Sequence, residues 1–236
     1  DRCQFLSNES PLLVTERASI GFNANANDLK IRDNRATFFR HFAVMAGSSS
    51  LITDNHVFQG DSASNGVRSA GFVLTRTNNR GTINGNYIDN CFLEWANEHD
   101  SAPEFASEFS FSALSVTGNV FLASDMAPWF TFITVRPHGP GHFLNGMTVT
   151  GNTFRAIGSI DRVETVDTSF ADLDFDRVRG ITFAENTFHN IDIQAESPLV
   201  MAHEEGSASA VWVIEPTPRL PFGAWAQTVE SVLADG

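Results

Sequence analysis

A short recurring frame constrains the fold of this chain more than any other feature. It places an apolar residue three positions before an asparagine and another residue, usually apolar, two positions after it. The clearest copies are residues 114–121, 147–154 and 181–188. The separations between successive anchor asparagines are 26, 21, 31, 33, 33 and 34 residues, and a repeat of this length is typical of a solenoid. The anchors are Asn8, Asn34, Asn55, Asn86, Asn119, Asn152 and Asn186.

The pattern inside each repeat indicates strands rather than helices. Apolar residues lie two apart and are rich in Val, Ile and Phe, as on one face of a strand. The alternation slips at the asparagine, which a bend explains, because Asn tolerates the left-handed conformation and its amide can bond to nearby backbone. In turns stacked about 4.8 Å apart, each Asn amide reaches the one above. We therefore expect an asparagine ladder.

Two classes of solenoid share this frame. Leucine-rich repeats have a period of about 20–29 residues. Here the last four spacings are longer, Phe outnumbers Leu, and the segments 71–75, 109–113 and 129–135 have the pattern of further strands. We therefore predict an all-β, right-handed parallel β-helix, with a leucine-rich-repeat-like solenoid as the alternative.

Composition limits the possible partners. The net charge is −13 and the chain has a single lysine, Lys30, so the basic cluster of a nucleic-acid-binding surface is missing from the sequence. No apolar run is long enough to span a bilayer, so membrane insertion is not expected. Cys3 and Cys91 lie five residues before Asn8 and five after Asn86, where the frame predicts inward-pointing free thiols.

The predicted β-helix extends over residues 1–215, with a last strand at 210–214. Pro216, Pro218 and Pro221 then remove ladder donors, so residues 216–236 are predicted to form a C-terminal cap or the start of a further segment. The chain begins without Met, and a first coil with nothing over it would expose strand edges. We expect a preceding coil or an upstream domain, in the same chain or in trans.

The candidate site comes from the three longest intervals, which follow Asn86, Asn119 and Asn152. If residues at equal offsets from the anchor lie side by side on stacked coils, insertions at those offsets form the walls of a groove. Aromatic faces cover the apolar side of a sugar ring, while carboxylates and Arg bond to hydroxyls. We therefore predict carbohydrate binding by residues at offsets of about eight to twelve, together with a later arginine: Trp95, Trp129, Arg162 and Arg136.

Carboxylates in the same intervals allow a catalytic alternative. Glycoside hydrolysis uses two carboxyl groups about 5–9.5 Å apart. The pairs to consider combine one of Glu94 and Glu98 with one of Asp161 and Glu164. A solvated acidic loop is the other interpretation of the carboxylates from Glu94 to Glu108. The sequence has no zinc-type Cys/His spacing, EF-hand loop, P-loop or Gly-x-Ser-x-Gly elbow, so neither a metal nor a cofactor is predicted.

The segments Val-Thr-Gly-Asn-x-Phe at 116–121 and 149–154, with Ile-Thr-Phe-Ala-Glu-Asn-Thr-Phe at 181–188, resemble the pectate-lyase-like right-handed β-helix superfamily. They are similar in particular to repeats of phage tailspikes, gene-transfer-agent spikes and secreted polysaccharide-active enzymes. The resemblance implies a polysaccharide partner, a homotrimer, and an extracellular or particle-surface location. It does not imply a particular activity, because the Asp-Asp and Gly-His-Gly motifs of polygalacturonases are missing and residues 139–142 are Gly-Pro-Gly-His.

Three functions follow as hypotheses. The first is a polysaccharide-recognising β-helix of the spike or adhesin type. The second is a glycoside hydrolase or polysaccharide lyase that uses the same groove. The third is a rigid structural spacer within a virus-like particle.

Overall fold

The computed structural model describes residues 2–6, 20–58, 70–98, 109–124 and 127–233. These residues form strands in three sheets. Sheet A contains β1 (Gln4–Leu6), β4 (Arg35–Thr37), β7 (His56–Phe58), β10 (Tyr87–Asp89), β13 (Val120–Ala123), β16 (Thr153–Arg162) and β19 (Thr187–Ile193). Sheet B contains β2 (Ile20–Ala24), β5 (His41–Met45), β8 (Ala70–Leu74), β11 (Phe92–Ala96), β14 (Ile133–Arg136) and β17 (Glu164–Val166). Sheet C contains β3 (Lys30–Arg32), β6 (Leu51–Thr53), β9 (Thr82–Asn84), β12 (Phe111–Thr117), β15 (Leu144–Thr150) and β18 (Arg179–Ala184).

Each strand pairs in parallel with the strand three further along the chain, so every coil passes through sheets C, A and B in turn. Crossover connections between parallel strands are almost always right-handed, as they are in this β-helix. Within the described part of the chain, helical structure is limited to the 3-10 turns Phe175–Arg177 and Pro221–Gly223. The parallel β-helix is therefore confirmed, and the leucine-rich-repeat alternative is wrong because the coils contribute strands to three parallel sheets.

The asparagine ladder runs along the corner where sheet C turns into sheet A. Each side-chain amide donates to Oδ1 of the asparagine in the next coil at 2.9–3.0 Å, from Asn34 through Asn55, Asn86, Asn119 and Asn152 to Asn186. The backbone N–H of each donor binds the same oxygen. These six predicted ladder positions are confirmed.

The first coil departs from the predicted frame. Phe5 pairs with Ala36 in sheet A, two residues after Asn34, so Cys3 takes the corner position and its N–H binds Asn34 Oδ1. Asn8 lies outside the described residues. Cys3 is exposed, so the prediction that it points inward is wrong, whereas Cys91 is buried as predicted.

Stacked aromatic rings fill the interior. Phe121 and Phe154 occupy successive inward positions of sheet A with ring centroids 4.8 Å apart, and Phe188 continues the stack at 5.6 Å. Such ring pairs add about 0.5–1.5 kcal/mol each beyond their burial. The core is therefore a continuous column rather than a series of separate clusters.

The last strand ends at Ile193, and the predicted strand at 210–214 is wrong. That segment has strand-forming residues, but it lies exposed without a neighbouring strand edge. Phe222, in the turn Pro221–Gly223, is instead buried at the end of the core. Residues 225–233 form neither a helix nor a strand. No helix in the described ranges has the length and apolar character needed to cross a membrane.

Candidate functional site

The irregular connections of the coils fall at two of the three corners. The corner from sheet C to sheet A is short because the ladder asparagine makes it. We call the connections from sheet A to sheet B the AB corner, and those from sheet B to sheet C the BC edge. The BC edge includes residues 137–143 and 167–178, which lie next to each other in successive coils.

Equal offsets from the anchor do not lie side by side, contrary to the sequence-based prediction. Leu93, Ile133 and Glu164 are partners in register, although they lie 7, 14 and 12 residues after their anchors. The length of the AB corner causes the difference. Two residues connect β10 to β11, whereas residues 124–132 connect β13 to β14. Strand β16 also contains a register shift between Arg155 and Ile160. The residues predicted to line one groove are consequently divided between the two ends of sheet B.

Trp95 lies in the core rather than in a groove. Its side chain is 0% exposed, its Nε1 donates to the backbone oxygen of Arg76 at 2.8 Å, and its ring contacts Phe111. The predicted contact between Trp95 and a glycan is therefore wrong for this structure. Trp129, by contrast, is 43% exposed at the AB corner, where its ring edge meets Phe92.

Glu164 points into the core and is fully buried, so it is not available to a ligand. Burial raises its pKa to about 7, although the hydrogen bond and charge of Arg162 and a backbone hydrogen bond from Phe222 act in the opposite direction. Arg162 Nη2 lies 2.8 Å from Glu164 Oε1. Glu164, predicted as a catalytic carboxylate, is therefore enclosed in an ion pair with Arg162, whose side chain is 21% exposed, and Asp161 lies exposed beside it at the end of β16.

The structure brings together a charged cluster around Arg136, at the end of β14. Arg136 Nη1 lies 3.6 Å from Glu94 Oε1, and its Nε lies 3.4 Å from Asp167 Oδ2. Its guanidinium carbon also lies 4.4 Å from the ring centroid of Phe170. Arg136 and Glu94 were predicted as site residues, and Glu98 lies exposed at the same end of sheet B, just after Ala96.

Sequence reasoning missed Asp167 and Phe170. Asp167 directly follows Val166, the register partner of Val135, and its N–H donates to the Val135 oxygen at 2.8 Å. The register therefore places Asp167 beside Arg136, but the anchor offsets do not reveal that register. Phe170 is 57% exposed, so it offers open aromatic surface at this edge.

His138 stacks on the ring of Phe170. The two rings stack with centroids 4.3 Å apart and planes 17° from parallel. Burial lowers the pKa of His138, and Arg136 adds to this effect while Glu98, Glu94 and Asp167 oppose it. His138 is therefore mostly neutral at neutral pH, so the stacked pair consists of two uncharged rings.

Three buried polar side chains hold the loop that carries His138. Asn97 donates from Nδ2 to the His138 oxygen at 2.9 Å and lies 3.0 Å from Nε2 of His142. The Ser110 hydroxyl lies 3.2 Å from Nδ1 of His142 and accepts the N–H of Phe143. These contacts link two consecutive connections and stabilise the BC edge.

Two depressions lie along this edge. The Phe170 cleft, of about 480 Å³, is lined mainly by Pro140, Phe170, Asp172, Leu173 and Asp174. A polar groove of about 420 Å³ lies on earlier coils, with Asn25, Asn27, Ser48, Arg76 and Asn78 among its walls. Aromatic surface and uncompensated carboxylates occur together in the first of these.

Fold and site together define a right-handed parallel β-helix with an asparagine ladder and a BC edge that carries the Arg136 cluster and Phe170. No family model matches the chain, and neither a curated protein nor a solved structure is significantly similar to it. Among the described residues, no group of three or more His, Cys, Asp or Glu side chains is arranged to hold a metal ion. Function therefore has to be argued from the site itself.

Proposed function

We propose that this chain is a polysaccharide-recognising β-helix of the spike or adhesin type, which binds a cell-surface or capsular glycan along the BC edge. The observation that carries the proposal is the exposed ring of Phe170 held over the Arg136 cluster. An aromatic ring covers the apolar face of a sugar, while the partly exposed side chains of Arg136 and Asp167 supply donors and acceptors for hydroxyls. Stacked coils extend this surface along the solenoid axis, as a linear polymer requires.

The support of the ring by neighbouring side chains strengthens the proposal. His138 and Arg136 fix the position of Phe170, and Asn97 fixes the loop of His138. A binding ring that is already ordered loses less conformational entropy when ligand binds. The proposal also includes kinship with the pectate-lyase-like superfamily, a homotrimer or attachment to an upstream domain, and an extracellular or particle-surface location.

Binding to a polysaccharide panel, measured by affinity electrophoresis or a glycan array, tests the proposal. Phe170→Ala should abolish retention by the bound glycan. Trp129→Ala is the matched control, because it removes an aromatic residue of similar exposure from the opposite end of sheet B. Loss of binding in Trp129→Ala with normal binding in Phe170→Ala would contradict the proposed location. Failure of the wild type to bind any glycan would favour the structural-spacer hypothesis.

One observation favours glycoside hydrolysis as a second candidate. The carboxylates of Glu94 and Asp167 contact the same guanidinium group, which keeps them within about 9 Å of each other, inside the range of glycosidase pairs. Against it, Arg136 contacts both carboxylates and the Glu94 side chain is only 5% exposed, which restricts the access of water and of a sugar carbon. Release of reducing ends that is lost in both Glu94→Gln and Asp167→Asn would establish hydrolysis, and no release from any bound glycan would exclude it.

A further inference from the structure

We infer that the Phe170 cleft selects glycans that carry free amino groups, an inference that rests on the proposed function. The argument begins with the charges of the cleft. Asp172 is exposed and Asp174 half-buried in its wall, and neither carboxylate forms an ion pair with a described residue. Two unpaired carboxylates in one cleft favour a cationic ligand over a neutral one.

The arginines near the cleft do not neutralise these carboxylates. Arg136 is already paired with Glu94 and Asp167. The guanidinium carbon of Arg177 lies 3.9 Å from the ring centroid of Phe143, and that of Arg179 lies 5.1 Å from the same centroid. Both arginines therefore pack on Phe143, and neither forms an ion pair with Asp172 or Asp174, while Glu98 adds another negative charge to the edge.

The aromatic wall strengthens the preference for a cation. An ammonium group within about 6 Å of a ring centroid is attracted to the ring, by about 0.5–1 kcal/mol at an exposed site. Phe170 remains 57% exposed even though Arg136 and His138 pack on it, so ring surface is open for such a contact. Pro140 and Leu173 add apolar surface for the carbons of a sugar ring.

The same features disfavour acidic polysaccharides. A uronic-acid carboxylate in this cleft would face Asp172 and Asp174, in a protein whose net charge is −13. Like charges at such distances are repulsive unless a cation lies between them. The expected ligand is therefore an amino-sugar polymer with unacetylated amines.

Calorimetric binding of a glucosamine oligomer, its N-acetylated counterpart of equal length, a neutral glucan and a polyuronate tests this inference on the full chain. At about pH 6 the amines are protonated, and we expect the glucosamine oligomer to bind at least about tenfold more tightly than the N-acetylated form. Asp172→Asn and Asp174→Asn should reduce this ratio, whereas Asp192→Asn, which removes an exposed carboxylate from sheet A, should not. Added salt should weaken amino-sugar binding more than neutral-sugar binding.

The outcomes separate the two proposals. Equal or tighter binding of the N-acetylated, neutral or uronate polymer, with loss in Phe170→Ala, would overturn the amine preference and leave the proposed function in place. An amine preference that survives both Asp172→Asn and Asp174→Asn would overturn the assignment to this cleft. Absence of binding to every glycan would overturn the inference together with the proposed function.

Discussion

The side-chain amide of Asn119 lies 2.9 Å from Oδ1 of Asn152 in the next coil and also contacts the backbone oxygens of Ile83 and Thr117 at 3.0 and 3.1 Å. One buried side chain thus binds two neighbouring coils and its own corner. Because these partners are buried, the loss of one ladder asparagine leaves several backbone groups unsatisfied.

We therefore predict that Asn119→Ala lowers the free energy of unfolding by about 3 kcal/mol, with little effect on ligand binding by the folded fraction. Urea unfolding provides the measurement. The control is Asn84→Ala, which removes an exposed asparagine that contacts Thr117 from the solvent side, and it should cost less than about 1 kcal/mol. Similar losses in the two variants would show that the ladder is not a main source of stability.

Stability should depend on pH through Glu164. Its pKa in the folded protein is raised to about 7 from 4.5, so the folded state binds the proton more tightly than the unfolded chain. The contribution of this group to stability is therefore full below about pH 4.5 and is lost as pH rises to about 7, by about 3 kcal/mol in all. Unfolding measured across this range should show the decline, and Glu164→Gln should remove most of it.

Glu185→Gln provides the control for that series, because Glu185 is exposed. It should leave the pH profile of the wild type unchanged. An identical decline in Glu164→Gln would show that other groups cause the pH dependence.

The two tryptophans predicted to bind sugar should behave in opposite ways. Trp95→Ala removes a fully buried ring and its hydrogen bond to Arg76, which should cost about 3–5 kcal/mol of stability. Trp129→Ala should cost much less, because the ring is partly exposed. Thermal unfolding measures both losses, and a mild effect of Trp95→Ala would place that residue at the surface.

The cysteines should differ in reactivity. Cys91 is buried and burial raises the pKa of its thiol, whereas Cys3 is exposed. Because the thiolate is the reactive species, a thiol reagent should modify only Cys3 in the native protein and both residues in denaturant. Rapid native labelling that persists in Cys3→Ser would contradict the burial of Cys91.

The ladder could be predicted from the sequence because it depends on a local frame. Each corner asparagine is flanked by apolar residues at fixed positions in the sequence. Asn55, Asn86 and Asn119 can therefore be recognised without knowledge of the rest of the coil. The first coil was misaligned because its corner carries Cys3 instead of an asparagine, which left the frame without its marker.

The site could be predicted only in part, because register and not offset decides which residues meet. Arg136 and Glu94 were identified, but the long AB corner before β14 moves Trp129 to the other end of sheet B. Strand parity then separates Glu94 from Glu164, which face opposite sides of the same sheet. No sequence pattern marks Phe170, because its importance comes from its contacts with Arg136 and His138.

The central claim is that ligand binds at the BC edge. Hydrogen–deuterium exchange with and without a bound polysaccharide tests it most directly, because the two candidate regions lie in different peptides. We predict protection confined to residues 136–142 and 167–174. Protection at residues 127–132 and 157–163, with no change around Phe170, would contradict the claim and place the binding surface at the AB corner.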